Sequence, residues 1–549
     1  MTSRIPLLVL LLAAGASAAG PVPVTPPTLG SANTATADPG VARPAATPCR
    51  VRLFTDQPFA DFSPKTFAYA PPAACPGPWQ KIVLEADYSI EAGRQFDRTA
   101  TLWIGGVNVY FGTTAEPSRK VARAWHVERD LTEYAALLRS SSVGRAELGN
   151  VVNGTYTSTL FGTAQLAFYP AEREEGKAAD VVLPLSGSPT GGTVALFDPA
   201  AELSATFALP GNIERAALDV VLQHQGANDE FWYTCVPDAL TGALQSCGGT
   251  AFREGQLTID GQPAGVVPIF PWIFTGGIDP LFWRPIPAPQ SLNFVPYRVD
   301  VTPFAGVLSN GKPHRFAIRV ANNSQYFQTT ATLLLYLDHD AAQVTGEVTE
   351  NTIGAPAPVV TPALTTSADG TVSGTVTTTS SRKFVLAGWV KGSHGRVRTE
   401  ISQQIDFSNL QQFVSPTTAP VAYVQNITQS TSISSRTRVR GGDEDARESS
   451  TRMSWPLEVD LSIPPTASFT QVGRIRQGYN RVDTDGDDSS IVSNSGEWAD
   501  TYPTAVGQSG AQRYFSAGAD GRCYSRALTA AGGVLTSITD GAGCEQQDR

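Results

Sequence analysis

The sequence predicts an all-β protein, because its composition and its pattern both favour short strands joined by turns. Only 16% of the residues are charged, while glycine (50) and proline (40) are abundant, a balance that suits strands and turns better than solvated helices. Strand-like runs recur before Val344, among them KIVLEADYSI, RTATLWIGGVNVYFG, RAALDVVLQHQ, YRVDVTPFAGVL and TTATLLLYLD. Turn residues separate these runs at short intervals, which is typical of antiparallel sandwiches and jelly rolls.

The length of 549 residues exceeds one typical core, so we expect several domains. Residues 1–18 have the basic residue, apolar run and small-residue end of a secretory signal peptide, which predicts cleavage near Ala18 and a secreted or periplasmic protein. Residues 19–48 are rich in Pro, Ala and Thr, and we expect a disordered leader. The folded part is predicted as a first jelly roll at 49–185, a second at 186–345, and a β-rich C-terminal domain at 346–549.

Charge and motif content exclude several classes of partner. The formal net charge is −10 and the chain has no long basic run, so nucleic acid is not an expected partner. No segment after the leader is apolar for long enough to cross a bilayer, and we expect no membrane association. The sequence has no C-x-x-C, no H-E-x-x-H and no phosphate-binding loop, so we expect no metal and no cofactor. A monomer is the expected state.

The six cysteines fall into three local couples, Cys49 with Cys75, Cys235 with Cys247, and Cys523 with Cys544. Disulfides fit an exported protein. Six cysteines allow about 15 complete pairings, and local pairing is the one we predict.

Two acidic segments have the composition of a sugar-processing site. Asp97 and Arg98 begin the strand RTATLWIGG, and period two places Trp103 on the same face as Asp97. In NDEFWYTC, Asp229 and Glu230 run directly into aromatic residues that include Trp232. Aromatic rings cover the apolar faces of sugars, while acids bind hydroxyls or move protons. The structural alternatives are an ion pair at a strand edge and a solvent-facing Glu230 beside a core aromatic cluster.

A third segment, TGGIDPLFWRPIP, combines two glycines with Asp279, Trp283 and Arg284. The glycines allow a close backbone approach, and a guanidinium here is suited to donate to a carbonyl oxygen that becomes negative. The alternative is that Trp283 is a packing residue and Arg284 covers a seam between domains.

Several stretches, in chain order, resemble the plant-type peptide N-glycanase family, the amidase A group: KIVLEADYSIEAGRQFDR, LWIGG, TAEP, LGN, NDEFWY, IFTGGIDPLFWRPI and GWVKGSHG. The resemblance runs from about Cys49 to Cys544. It implies hydrolysis of the β-aspartylglucosaminyl amide that joins an N-glycan to Asn, which releases the glycan and leaves Asp. More distantly, the chain resembles bacterial peptide N-glycanases that are built from two jelly rolls side by side.

The resemblance also implies roles for particular residues. Phe96-Asp97-Arg98 matches a Trp-Asp-Arg that carries the essential Asp, and the second acid matches Glu230 or its neighbour Asp229. The third acid of the bacterial relatives has no clear counterpart: Asn150 falls near that position, and Glu147 is close but in a different register. We therefore expect catalytic roles for Asp97, Glu230 and Arg284, and substrate contacts from Arg98, Trp103, Asn150, Asp229, Trp232, Asp279 and Trp283.

The resulting functional hypothesis is a secreted amidase whose substrate is an N-glycopeptide or N-glycoprotein. Two alternatives stay open at this point. One is a glycan-binding β-sandwich protein without catalysis, and the other is a secreted glycosidase that cuts a sugar–sugar bond.

Overall fold

The computed structural model describes residues 20–171, 178–186, 188–417, 421–442, 446–466 and 468–544. The predicted signal peptide lies outside these residues. Within them the chain is almost entirely β-structure, and the prediction of two β-sandwiches followed by a third β-rich region is confirmed.

The first sandwich contains two antiparallel four-stranded sheets. Its strands are β1 (Cys49–Phe59), β2 (Lys65–Tyr69), β3 (Trp79–Ile90), β4 (Thr99–Ile104), β5 (Val107–Thr113), β6 (Arg123–Asp130), β7 (Ser142–Leu148) and β8 (Leu160–Pro170). The strand orders of the two sheets are β1-β8-β3-β6 and β2-β7-β4-β5. Apolar residues that alternate along these strands point between the sheets and form the core of the sandwich, among them Ile82, Leu84, Leu102 and Phe168.

The second sandwich has the same order as the first, with one added strand. Its strands are β9 (Val181–Pro184), β10 (Val194–Leu196), β11 (Leu203–Ala208), β12 (Ile213–Gln225), β13 (Glu254–Ile259), β14 (Gln262–Pro268), β15 (Tyr297–Asp300), β16 (Pro313–Ala321) and β17 (Tyr326–Leu337). The sheets run β10-β17-β12-β15, with β9 also on β17, and β11-β16-β13-β14. Each sandwich thus follows the pattern of two Greek keys that a jelly roll has. Because β9 belongs to this sandwich, the sandwich begins before the predicted boundary at 186.

The C-terminal region is one 11-stranded sheet in which most strands pair with the next strand in the chain. Its buried face packs on the second sandwich, where Phe384, Ile405 and Trp455 meet Phe270 and Trp272. The strands are β18 (Thr345–Asn351), β19 (Val359–Thr366), β20 (Val372–Gly392), β21 (Gly395–Ser415), β22 (Tyr423–Gly441), β23 (Arg447–Ile463), β24 (Gln471–Asp485), β25 (Asp488–Tyr502), β26 (Ser509–Ala517), β27 (Cys523–Ala531) and β28 (Val534–Asp540).

Among the described residues, helical structure is limited to single turns. These are α1 (Gly226–Asp229), α2 (Thr241–Leu244) and α3 (Ala305–Leu308), with 3₁₀ turns at Thr132–Tyr134, Leu137–Arg139, Trp232–Thr234, Asp238–Leu240 and Thr302–Phe304. No helix in the described part of the chain is long and apolar enough to span a bilayer.

The three disulfides join Cys49 to Cys75, Cys235 to Cys247, and Cys523 to Cys544. The predicted local pairing is confirmed.

The prediction of a disordered leader at 19–48 is wrong for the part that the structure describes, which begins at residue 20. This segment has no regular secondary structure but is held by specific hydrogen bonds. The backbone N–H of Ala35, which is buried, donates to the carbonyl oxygen of Pro285 at 3.0 Å, and that of Val41 donates to the carboxylate of Glu128 at 2.6 Å. The segment is rich in small and polar residues, so composition gave no sign of these backbone contacts.

Candidate active site

The connection between β14 and β15, residues 269–296, lies against the first sandwich, and we call it the seam loop. Thr113, at the end of β5, donates its backbone N–H to the carbonyl oxygen of Ser291 at 2.8 Å. The Tyr110 hydroxyl donates to the carbonyl oxygen of Leu292 at 2.7 Å. These bonds fix the seam loop beside β5 and bring its residues 276–284 to the edge of the first sandwich.

Asp97 lies immediately before β4 and faces the seam loop. Its Oδ2 accepts a hydrogen bond from the backbone N–H of Gly276 at 3.0 Å. A Cβ at position 276 would lie 2.6 Å from Asp97 Oδ1, so only glycine allows this approach. The next residue, Arg98, makes two backbone hydrogen bonds with Thr114. Its carbonyl oxygen accepts from the Thr114 N–H at 2.7 Å, and its own N–H donates to the Thr114 hydroxyl oxygen at 2.8 Å. The carboxylate is therefore held between the two sandwiches.

Glu116 follows β5 and is the second carboxyl group at this place. Its Oε1 accepts from Arg284 Nη2 at 3.1 Å, and the same nitrogen donates to the carbonyl oxygen of Pro117 at 2.7 Å. Its Oε2 lies 2.9 Å from the position of a Cβ on Gly276. Asp97 and Glu116 thus converge on one glycine of the seam loop, and Arg284 is fixed beside them.

Glu230 reaches the site from the second sandwich. It follows α1, where its N–H donates to the carbonyl oxygen of Gly226 at 2.8 Å. Gly226 has a φ of +79°, and its missing Cβ leaves room for the Gln325 side chain. Burial raises the pKa of Glu230 to about 7, and the negative charge of Asp97 contributes to the rise. The two acids, remote in sequence, therefore lie within electrostatic reach of each other.

The three carboxyl groups have different acidities. Burial raises the pKa of Asp97, while the Gly276 N–H and the Arg98 charge oppose the rise. Burial, and then the charge of Asp97, raise the pKa of Glu116 to about 9 although Arg284 lowers it. Carboxylates that share a buried site cannot all ionise together. In mildly acidic solution this arrangement keeps Glu116 and Glu230 protonated.

The three tryptophans expected to contact substrate are core residues instead. Trp103, Trp232 and Trp283 are only 0%, 1% and 3% exposed. Trp103 packs beneath Gly191, where a Cβ would lie 2.5 Å from the ring, and Trp283 packs on Trp498 with ring centroids 5.0 Å apart. The prediction is corrected because large apolar rings contribute more to stability inside the core than at the surface.

Three polar side chains that were predicted to contact substrate are also buried, and each has an internal role instead. Asp229 is fully buried and accepts from Arg253 Nε at 2.7 Å and from two backbone N–H groups. Asn150 is fully buried and donates to the carbonyl oxygen of Phe59 at 2.9 Å. Asp279 is 1% exposed, and burial together with the neighbouring Asp500 raises its pKa.

Glu116 is the acid that the sequence argument missed. Glu147, the weaker of the two sequence candidates, forms an ion pair with Arg145 at 2.9 Å on β7. The available signal for Glu116 was its position in TAEP, directly after the strand VNVYFGT. Arg98 stays at the edge of the site, where it donates to the side chain of Gln95 at 2.9 Å and lies over the ring of Phe96.

Fold and site together define a two-sandwich protein with a carboxyl cluster at the seam, an arrangement suited to acid–base chemistry. Residues 39–353 match the family described as peptide N-acetyl-beta-D-glucosaminyl asparaginase amidase A, and the chain belongs to this family. The chain is 34% identical over 363 residues to the peptide-N4-(N-acetyl-beta-glucosaminyl)asparagine amidase A of Prunus dulcis. That alignment spans 62% of this chain and 62% of the relative.

Solved structures give weaker matches. PNGF-II aligns with a TM-score of 0.38 and 13% identity over 53% of this chain and 66% of that chain. Recombinant peptide N-glycanase F aligns with a TM-score of 0.36 and 12% identity over 53% of this chain and 96% of that chain.

Proposed function

We propose that this protein hydrolyses the β-aspartylglucosaminyl amide of N-glycopeptides, releasing the glycan and converting Asn to Asp. Family membership supports the reaction, and the relative in Prunus dulcis carries the name of an enzyme of this class. The observation that carries the proposal is the convergence of Asp97 and Glu116 on Gly276 at the seam, with Arg284 bound to Glu116 and Glu230 within electrostatic reach of Asp97.

In this proposal, Asp97 activates the attacking water. An amide carbon is a poor electrophile, so a base must take a proton from the water as the new carbon–oxygen bond forms. The Gly276 N–H and the Arg98 charge favour the ionised form of Asp97, and the Gly276 N–H fixes its Oδ2. The other oxygen, Oδ1, accepts the proton.

Glu230 supplies a proton to the leaving group. The carbon–nitrogen bond breaks more easily when the nitrogen departs as a neutral glycosylamine, which requires an acid that is protonated at the working pH. A pKa of about 7 for Glu230 meets this requirement in mildly acidic solution. Water then contributes its oxygen to the new Asp carboxyl group, the proton on Asp97 passes to solvent, and Glu230 regains a proton from solvent.

Arg284 and Glu116 organise charge around these two acids. The Arg284 guanidinium is held by Glu116 and by the carbonyl oxygen of Pro117, and its charge offsets the negative charge that develops on the substrate carbonyl oxygen. Glu116 is a positioning residue, because it acts by fixing Arg284.

We also propose that the protein works outside the cytoplasm. The signal-like N-terminal sequence and the three disulfides support export to an oxidising compartment.

The test is incubation with a synthetic N-glycopeptide, followed by mass spectrometry of both products. The proposal requires an intact free glycan and a peptide with Asp where Asn stood. A peptide that keeps one N-acetylglucosamine would identify a glycosidase instead. An unchanged glycopeptide that binds the protein would identify a glycan-binding protein.

A further inference from the structure

The rim of the second sandwich carries an aromatic pair that the proposed chemistry does not use. Phe197 follows β10 and is 65% exposed, and Tyr326 begins β17 and is half-buried. Their ring centroids are 5.5 Å apart. A phenylalanine this exposed beside a second ring is typical of a contact surface.

The strand register places this pair at the same end of the sheet as the segment that leads to Glu230. β10 and β12 both pair with β17, so that Leu196 lies opposite Phe327 and Gln225 lies opposite Tyr326. β12 then continues through α1 to Glu230. The end of β10, the beginning of β17 and the approach to Glu230 therefore lie side by side. The charge of Glu230 also contributes to a raised pKa of Tyr326, although burial is the larger cause.

Hydrogen bonds hold the Tyr326 ring and the backbone next to Phe197 in place. The Tyr326 hydroxyl donates to the side-chain oxygen of Gln225, whose amide nitrogen donates to Gln223 at 2.8 Å. Beside Phe197, the buried Asn323 donates to the carbonyl oxygen of Leu196 at 3.0 Å. A surface held in advance loses less entropy when a ligand binds.

Neutral amides and hydroxyls lie beside Tyr326, while the exposed carboxylate of Asp198 follows Phe197 and accepts from the backbone N–H groups of Ala200 and Ala201. The Asn228 side chain donates to the Ser324 hydroxyl at 3.0 Å on the same edge. Amides and hydroxyls both donate and accept, as sugar hydroxyls do, and aromatic rings cover the apolar C–H face of a sugar.

The rim of the first sandwich has a different character. Arg94 lies over the ring of Tyr156 at 5.5 Å, and Arg98 lies over the ring of Phe96 at 5.8 Å. Two guanidinium groups beside Asp97 suit a charged peptide better than a neutral glycan. The rim of the second sandwich, where two rings lie beside amides and the Asp198 carboxylate, is therefore the side on which the hydroxyls and C–H faces of a glycan fit.

We propose that Phe197 and Tyr326 form an aromatic platform that binds a sugar of the N-glycan beyond the two sugars nearest the Asn. The platform rests on the proposed function, because it extends the sugar side of that cleft. It makes the length of the glycan, as well as the scissile amide, a determinant of binding.

The experiment compares two glycopeptides that share one peptide, of which one carries chitobiose and the other a pentasaccharide core. For Phe197→Ala we expect the ratio of KM for the pentasaccharide to KM for chitobiose to rise about tenfold, because the platform contact is lost. Phe197→Trp retains a ring and is expected to keep the ratio near that of the unaltered protein. Phe62→Ala is the matched control, since Phe62 is equally exposed at 65% but packs on Gly149 of the first sandwich.

Calorimetry with the free pentasaccharide provides a readout that does not need catalysis. Weaker binding by Phe197→Ala than by Phe62→Ala would support the platform. An unchanged KM ratio, an equal rise in KM for both glycopeptides, or unchanged calorimetric binding would overturn it. If the unaltered protein binds the pentasaccharide through Phe197 but cleaves neither glycopeptide, the proposed hydrolysis fails while the platform stands.

Discussion

The two sandwiches have the same strand order, and corresponding connections of each supply the site. The connection from β3 to β4 carries Asp97, and its counterpart from β12 to β13 carries Glu230. The connection from β5 to β6 carries Glu116, and its counterpart, the seam loop, carries Gly276 and Arg284. The site is therefore built from the same edge of two similar scaffolds.

The connections differ in length, and this difference decides what each sandwich contributes. In the first sandwich they span only residues 91–98 and 114–122, while in the second they span 226–253 and 269–296. Short connections hold acids close to the strand ends. Of the two long connections, the seam loop packs on the first sandwich, whereas 226–253 packs on the C-terminal sheet, where the carbonyl oxygens of Tyr233 and Cys235 accept from Asn409 and Gln411. The first sandwich therefore holds its acids near its own strand ends, and the second brings Gly276 and Arg284 across the seam to them.

The largest expected effect comes from Asp97→Asn. Asparagine can still accept from the Gly276 N–H but cannot take a proton from water, so kcat/KM should fall about 10³-fold. Glycopeptide cleavage measures the loss, and thermal unfolding should show a stability close to that of the unaltered protein. Full activity in this variant would remove Asp97 from the mechanism.

Gly276→Ala tests the contact between the two sandwiches. The added methyl would lie 2.6 Å from Asp97 Oδ1 and 2.9 Å from Glu116 Oε2, so both carboxyl groups must move and the cleavage rate should fall about 10²-fold. The neighbouring Gly277 offers a matched control, because a Cβ there would meet its nearest neighbour at 3.2 Å. An equal loss in Gly277→Ala would attribute the effect to general disturbance of the loop.

Glu230→Gln tests the proton donor supplied by the second sandwich. Because burial and Asp97 raise the pKa of Glu230 to about 7, the rate of the unaltered protein should fall as the pH rises through about 7 and the acid is lost. The variant should be slower by about 10- to 100-fold and should lack this fall. Persistence of the same alkaline decline in the variant would assign it to another group.

Asp229→Asn is the counterpart at the adjacent residue, and its expected effect is on stability. Asp229 and Arg253 are both fully buried in their ion pair, so removal of one charge leaves the other unpaired at a cost of about 3 kcal/mol. Denaturant unfolding measures this loss. A variant with undiminished stability and reduced cleavage would return Asp229 to the site.

The sequence predicted the fold class and the disulfides for identifiable reasons, and it proposed three residues that the structure places at or near the seam. Alternation and turn residues define strands locally, and Asp97, Glu230 and Arg284 each stand in a distinctive local segment. Asp229 and Glu230 are neighbours in one local segment, however, so the sequence alone does not distinguish them. Only the tertiary fold shows that Asp229 pairs with Arg253 and that Glu230 lies near the seam. Glu116 was missed because its importance depends on Arg284, which is 168 residues away in the chain.

The most direct test of a shared site is the pKa of Glu230 itself, measured by NMR titration of its carboxyl carbon. In the unaltered protein we expect a pKa raised to about 7. In Asp97→Asn the repelling charge is gone, so the pKa of Glu230 should fall while its burial stays the same. An identical pKa in both proteins would contradict the claim that the two sandwiches bring these acids together.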